Sequence, residues 1–392
     1  MNYEFNGDRL KKARIYRGLT VAELAEKVSQ QRQTLSMYEI GKSQPANPIA
    51  EALAEALDFP KQFFYEKPEA ISNGTVYFRS LLTSSKKYRS EQMIKMEFLC
   101  RVYSFLQEYI DFPKCDIPTF PSDISPKDAA LLLRKSWGLG NQPLDNLVAL
   151  VEDHGILVTT FSTSTDDVDA FSKPVIIDGE TRFLIAYSSN KTSAARIHFD
   201  IAHELGHICL HEWSDDIEEL SKEEFKQREI QAHEFAAAFL LPEDTFSIDA
   251  ESNPTSLVHY KQLKKKWRVS IAAMIRRAKE LHIISPEEYV TMVCHMQKRG
   301  QRKEEPLDNI LITSSPALLK TSVMMLLQEK VFTPREFMSE LSCEYGLTIN
   351  PVEIEYLLDL PTGTLTPSKL INFSRALQVK KNSSSQKKFA DS

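Results

Sequence analysis

Val21, Leu24, Ala25 and Val28 recur at helical spacing, and Thr20 with Glu23 supplies a capping box, so a helix is predicted over residues 20–28. A basic helix over 10–18 precedes it. After a short turn a third helix, over 31–38, stops at Glu39-Ile40-Gly41-Lys42. This is helix-turn-helix spacing. Ser90 to Tyr109 reads as an amphipathic helix, and the proline-marked stretch from Asp111 to Pro126 as a linker. Helices over 128–137 and 144–154 precede three short strands, over 155–161, 174–177 and 183–187. Ile197, Phe199, Ile201, Ala202, Leu205, Ile208 and Leu210 mark a buried helix, and a further helix from Glu229 is ended by Pro242. Helices over 257–267 and 270–281 flank the turn Arg268-Val269. Residues 318–327, 334–345 and 351–358 form a small C-terminal helical unit, and 380–392 are a polar tail expected to be disordered.

With 392 residues the chain is too long for one core. The predicted fold is multi-domain: an all-α helix-turn-helix bundle, an α+β domain and C-terminal helical units. The corresponding boundaries are 1–66 for the helix-turn-helix, 67–125 for a helical linker, 126–250 for the α+β domain, 251–305 for a helical unit, 306–380 for the C-terminal helices and 381–392 for the tail. The net charge is −6, no run reaches membrane-spanning length, and the first residues lack a basic and apolar leader pattern. A soluble cytoplasmic protein without membrane partners is expected. The five cysteines are odd in number and show no paired spacing, which argues against a disulfide framework or a cysteine metal site. Cys209, beside the histidine pair described next, is expected to be a buried apolar residue.

His203-Glu204-Leu205-Gly206-His207 carries the most specific chemistry. Residues four apart stack on one helix face, so both imidazoles can hold one Zn2+ while Glu204 reaches the water it activates, as general base. A catalytic site needs a third ligand. Glu229, 22 residues after His207, is the expected one; Ala232 and His233 share its face, the first permitting close helix contact and the second able to support a ligand. The alternative is that Glu229 is one more charge in an acidic run and that His233 or Glu234 is the ligand.

The HELGH helix with its trailing His211, followed by an E-x-x-A-x-x-F-A-x-x-x-L-L-P helix, resembles the ImmA/IrrE-type metallopeptidases. Val76-Tyr77-Phe78-Arg79-Ser80, Trp137-Gly138-Leu139-Gly140 and Val168-Asp169-Ala170-Phe171-Ser172 extend the resemblance to roughly residues 76–242. It implies that the α+β domain over 126–250 is a zincin-like metallopeptidase domain, a zinc-dependent endopeptidase that cuts a repressor protein, with the two histidines and the downstream glutamate on the metal. Members usually carry asparagine where this chain has His233. His211 is expected to support the site or stabilise the oxyanion; the alternative is a polar contact at the helix end.

The N-terminal helices resemble the Cro/C1-type repressor fold, whose third helix enters the major groove of DNA. Carried onto this chain, Gln31, Arg32, Gln33, Thr34, Ser36 and Met37 would read bases and Lys42 would meet phosphate. Residues 1–66 hold nine Lys/Arg against nine Asp/Glu, with positive charge concentrated in Arg9, Lys11, Lys12, Arg14 and Arg17. Modest DNA affinity, offset by homodimerisation or a palindromic site, fits this balance. Lys261, Lys264, Lys265, Lys266, Arg268, Arg276 and Arg277 make residues 257–281 look like a second helix-turn-helix; the alternative is a helical pair packed on the peptidase. Two rival functions stand beside a DNA-associated peptidase. One is a transcription regulator whose metal site is structural or vestigial. The other is a toxin-antitoxin or phage-type protein whose helix-turn-helix docks a protein partner.

Overall fold

The computed structural model describes residues 4–66, 86–161, 170–177, 179–190, 193–212, 221–302 and 304–366, with side chains in the second segment from residue 90. Residues 76–80, Val168 with Asp169, and the predicted tail lie outside the described residues. The N-terminal bundle comprises α1 (Gly7–Tyr16), α2 (Val21–Lys27), α3 (Arg32–Glu39), α4 (Asn47–Leu57) and a 3-10 turn, Lys61–Tyr65. The Thr20 capping box starts α2 as its sequence predicts. A long helix, α5 (Lys86–Leu106), leads to α6 (Pro126–Ser136) and α7 (Leu147–Asp153).

The sheet has three strands, β1 (Leu157–Phe161), β2 (Ala170–Ile177) and β3 (Glu180–Ser188), in the order β1-β3-β2. β1 runs parallel to β3 and β2 antiparallel to it. There follow α8 (Ala194–Leu210), α9 (Lys222–Leu240), α10 (Glu243–Glu251), α11 (Leu257–Trp267), α12 (Ile271–Glu280) and α13 (Pro286–Lys298). The chain then builds α14 (Leu318–Gln328), α15 (Pro334–Cys343) and α16 (Pro351–Leu357). No described helix is long and apolar enough to cross a membrane.

The sheet is a wall between two cores. Successive side chains of a strand point to opposite faces. Leu184 and Ala186 of β3 accordingly join a core made by the N-terminal bundle, α5 and the C-terminal helices. Ile185 and Tyr187 join a second core made by α6 to α13. Tyr260, Leu263, Trp267 and Met274 lie inside this second core, so α11 and α12 pack into it with α6 to α10. Two of the cations that suggested a second DNA-binding pair are buried. Lys264 donates to Glu305 at 2.8 Å and Asp308 at 2.6 Å, and Arg277 reaches the Leu241 carbonyl at 3.3 Å. Glu305, in the charged stretch after α13, also accepts from the Ile271 and Ala272 amides at the start of α12. That stretch is therefore pinned at Glu305 by a buried charge network.

Candidate metal centre and nucleic-acid interface

Apolar residues bury α8 on both sides of its histidines: Ile197, Ile201, Ala202 and Leu205 are 4% exposed or less. α9 crosses it closely. A Cβ on Gly206 would stand 3.0 Å from the Ala232 Cα and 3.1 Å from its carbonyl oxygen, so a glycine in α8 and a small residue in α9 together set the helix separation. That crossing brings Glu229 over the histidine pair. Its Oε1 lies 3.1 Å from His207 Nε2 and 3.6 Å from His203 Nε2, and the two nitrogens are 3.2 Å apart. Ligand atoms of a tetrahedral ion held at ~2.05 Å stand about 3.3 Å from one another. The three side chains therefore fit one small ion, and they form the one such group among the described residues.

The outer contacts agree with this use. His207 Nδ1 lies 2.9 Å from His211 Nδ1, and His211 Nε2 lies 3.2 Å from Gln231 Oε1. Gln231 Oε1 can only accept, so His211 carries its proton on Nε2 and accepts at Nδ1 from the Nδ1–H of His207. The chain of bonds leaves His207 Nε2 with its lone pair turned towards Glu229 and His203. His211 thus lies in hydrogen-bond contact with His207, one helical turn beyond it. His233 packs its ring 4.6 Å from that of His203, and Glu234 is exposed. Neither belongs to the converging group.

Glu204 is 7% exposed and accepts a 2.5 Å hydrogen bond from the Ser172 hydroxyl of β2. One carboxylate oxygen is fixed in this way. Sequence reasoning gave no role to Ser172 or Gln231. Ser172 stands only in a motif of the resemblance, and Gln231, two residues after Glu229, sits some 200° around the helix from it. Cys209 is buried, which pushes its thiol pKa well up and leaves it inert.

On the N-terminal bundle, Leu35, Tyr38 and Glu39 anchor α3 inwards while Gln31, Arg32, Gln33, Ser36, Met37 and Lys42 are exposed and Thr34 is half-buried. The face a groove would meet is open. The basic cluster of α1 is not part of it. Arg14 pairs with Glu39 at 2.5 and 3.0 Å, Arg9 with Glu66 at 3.2 Å, Lys12 with Glu97 at 2.6 Å and Arg17 with Glu353 at 2.6 Å. These cations hold the bundle together and to its neighbours; Lys11 alone of the five is exposed.

A comparison with curated proteins returns no match. Residues 151–279 match the family model of the IrrE N-terminal-like domain, peptidase family M78, and residues 10–64 match that of a helix-turn-helix. The chain therefore joins an N-terminal helix-turn-helix domain to a peptidase-family domain of the IrrE type.

Proposed function

We propose that this protein is a zinc-dependent endopeptidase that cuts a DNA-bound regulatory protein, a repressor being the expected substrate. The convergence of His203 Nε2, His207 Nε2 and Glu229 Oε1 carries this reading. Two imidazoles and one carboxylate are a donor set characteristic of catalytic zinc, which keeps a position open. Bound there, zinc would supply Lewis acidity to the attacking water and the scissile carbonyl. Glu204 takes the proton of the attacking water, with Ser172 holding one of its oxygens so that the other is turned to the reaction. His211 and Gln231 hold the His207 ring in register. β2 carries Ser172 and pairs with β3 on one side only among the described residues, so an extended substrate segment can add along its outer edge.

DNA binding by the helix-turn-helix is the second half of the reading, because the exposed face of α3 presents Arg32 and Gln33, side chains suited to guanine and adenine edges. The test is a comparison of host-cell proteins by mass spectrometry after induction of wild type and of Glu204→Gln, with zinc measured in both purified proteins. Cleavage products made by wild type alone, at about one zinc per chain in each protein, support the proposal. Identical protein profiles at equal zinc content would leave a DNA-binding regulator with a structural metal.

A further inference from the structure

The sheet has a second outer edge. A cavity of about 430 Å3 lies over the sheet face opposite Ser172, between α5 and the segment from α16 to Thr362; Phe171 of β2 and Ala186 of β3 floor it, and it reaches the outer edge of β1 at Thr160. Phe161 turns its carbonyl towards β3, where it accepts from the Ser189 amide at 2.8 Å. Peptide groups alternate along a strand, so those of Thr160 and Val158 point out of the sheet. Among the described residues the outward N–H groups of Val158 and Thr160 meet no acceptor, and the Thr160 carbonyl receives only a long 3.5 Å contact from the Thr159 hydroxyl. Gln92 of α5 lines the same cavity. It is 2% exposed, and its amide nitrogen has no hydrogen-bond partner among the described residues. Native folds keep few buried amides unpaired.

We propose that this cavity binds a short extended peptide, or a peptide-like small molecule, which adds to β1 as a strand and offers a carbonyl to Gln92. The volume suits a small ligand. The edge that lines the cavity, Thr159 to Phe161, spans about 7 Å at ~3.3 Å per residue, enough for about two residues of ligand. Met96, Leu99 and Leu360 wall the cavity with apolar surface for a side chain. Of its ions, Lys95 pairs with Glu91 at 2.7 Å and Asp359 with Lys320 at 3.1 Å, and the Glu355 carboxylate accepts from the Gly363, Leu365 and Thr366 amides, which favours a neutral backbone over a strongly charged ligand. Because successive residues of β2 face opposite ways, with Phe171 on the cavity and Ser172 on Glu204, such a ligand does not compete with a substrate at the metal centre. It touches α5 and α16, the helices that also hold the N-terminal bundle. The site is therefore built to report a peptide to both halves of the molecule.

The test incubates the full-length protein with equimolar mixtures of randomised tri- and tetrapeptides, one mixture capped at both ends and one uncapped, and identifies by mass the peptides retained after rapid desalting. Wild type should retain peptide. Thr160→Pro deletes the outward donor without removing a bond to β3, as an edge position tolerates, and should cut retention at least tenfold. Gln92→Leu should also cut it at least tenfold while raising the melting temperature of the peptide-free protein, since it removes an unpaired buried amide. Stronger retention of the uncapped mixture identifies free oligopeptides as the source, and of the capped mixture an internal segment of a protein. Retention by wild type no greater than by Thr160→Pro, or a lower melting temperature for Gln92→Leu, overturns the proposal.

Discussion

His207 can serve a metal only in one tautomer, and the bonds through His211 to Gln231 select it. Gln231→Leu should therefore weaken zinc affinity by about 10–100-fold while His203, His207 and Glu229 remain in place, measured by competition with a chelator. An unchanged affinity would show that His211 orients nothing. Glu204→Gln should keep the metal and lose hydrolysis, because it removes a base and not a ligand. His198, on the same helix, is a different kind of histidine. It is fully buried, accepts from the Leu147 amide at 3.3 Å, and desolvation lowers its pKa to about 4. The unfolded chain, with an ordinary histidine near pH 6.5, binds this proton more readily than the folded one. Stability is thus fully present above pH 6.5 and falls by on the order of 3 kcal/mol as the pH drops to about 4. His198→Gln, which keeps an acceptor for Leu147, should flatten that part of the urea-melt profile; the same slope in both proteins would assign it to other groups. At this scale the two histidines and Glu204 were legible because the helix itself fixes their spacing. Ser172 and Gln231 were not, since what they touch is decided by a strand and a helix brought together only in the folded chain.

Between elements, the separation of α8 and α9 decides whether Glu229 reaches the histidines. Gly206→Ala would push a methyl to within 3.0 Å of the Ala232 backbone and 3.2 Å of the Phe235 Cβ. Overpacking of this kind costs about 1–3 kcal/mol. Zinc content should fall with stability, because the ligands straddle the crossing; full metal content at lowered stability would mean that Glu229 adapts. On α3, Arg32→Ala and Gln33→Ala should each cost about 1–3 kcal/mol at a specific DNA site and far less on random DNA. Equal losses on both would rule out base reading by this face. Helix periodicity and the capping box placed α2 and α3 to within a residue or so. The strands were harder: β2 begins at Ala170, four residues before its predicted start, because Ser172 and Lys173 are polar yet buried and break the alternation. The positive charge of the first 66 residues is concentrated on α1, but charge in a sequence does not say which way a side chain points, and four of the five cations point to carboxylates.

Over the whole molecule, the sheet divides what the sequence presents as successive modules. The metal centre belongs to one core, whereas the N-terminal bundle shares the other with α5 and the C-terminal helices. The chain's ends are joined through Glu353 of α16, which takes Arg17 at 2.6 Å and the Tyr16 hydroxyl at 2.7 Å, and through Gly346, whose carbonyl accepts from Arg9 at 3.1 Å. No local pattern could show this, since the partners are more than 300 residues apart. A double-mutant cycle with Arg17→Ala and Glu353→Ala measures the joint directly. Both groups are only partly exposed, so a coupling energy of about 1–3 kcal/mol is expected, and additive losses would mean that the two ends merely lie side by side. The same variants separate two views of α1. With its basic cluster turned inwards, the bundle contributes few phosphate contacts, chiefly Lys42, and the salt dependence of binding to random DNA should be shallow, with a logarithmic slope of about −1 per bundle. Arg17→Ala should leave that slope unchanged while loosening the joint. A slope that flattened by about one would place Arg17 on the DNA and require the C-terminal helices to leave the bundle before it binds.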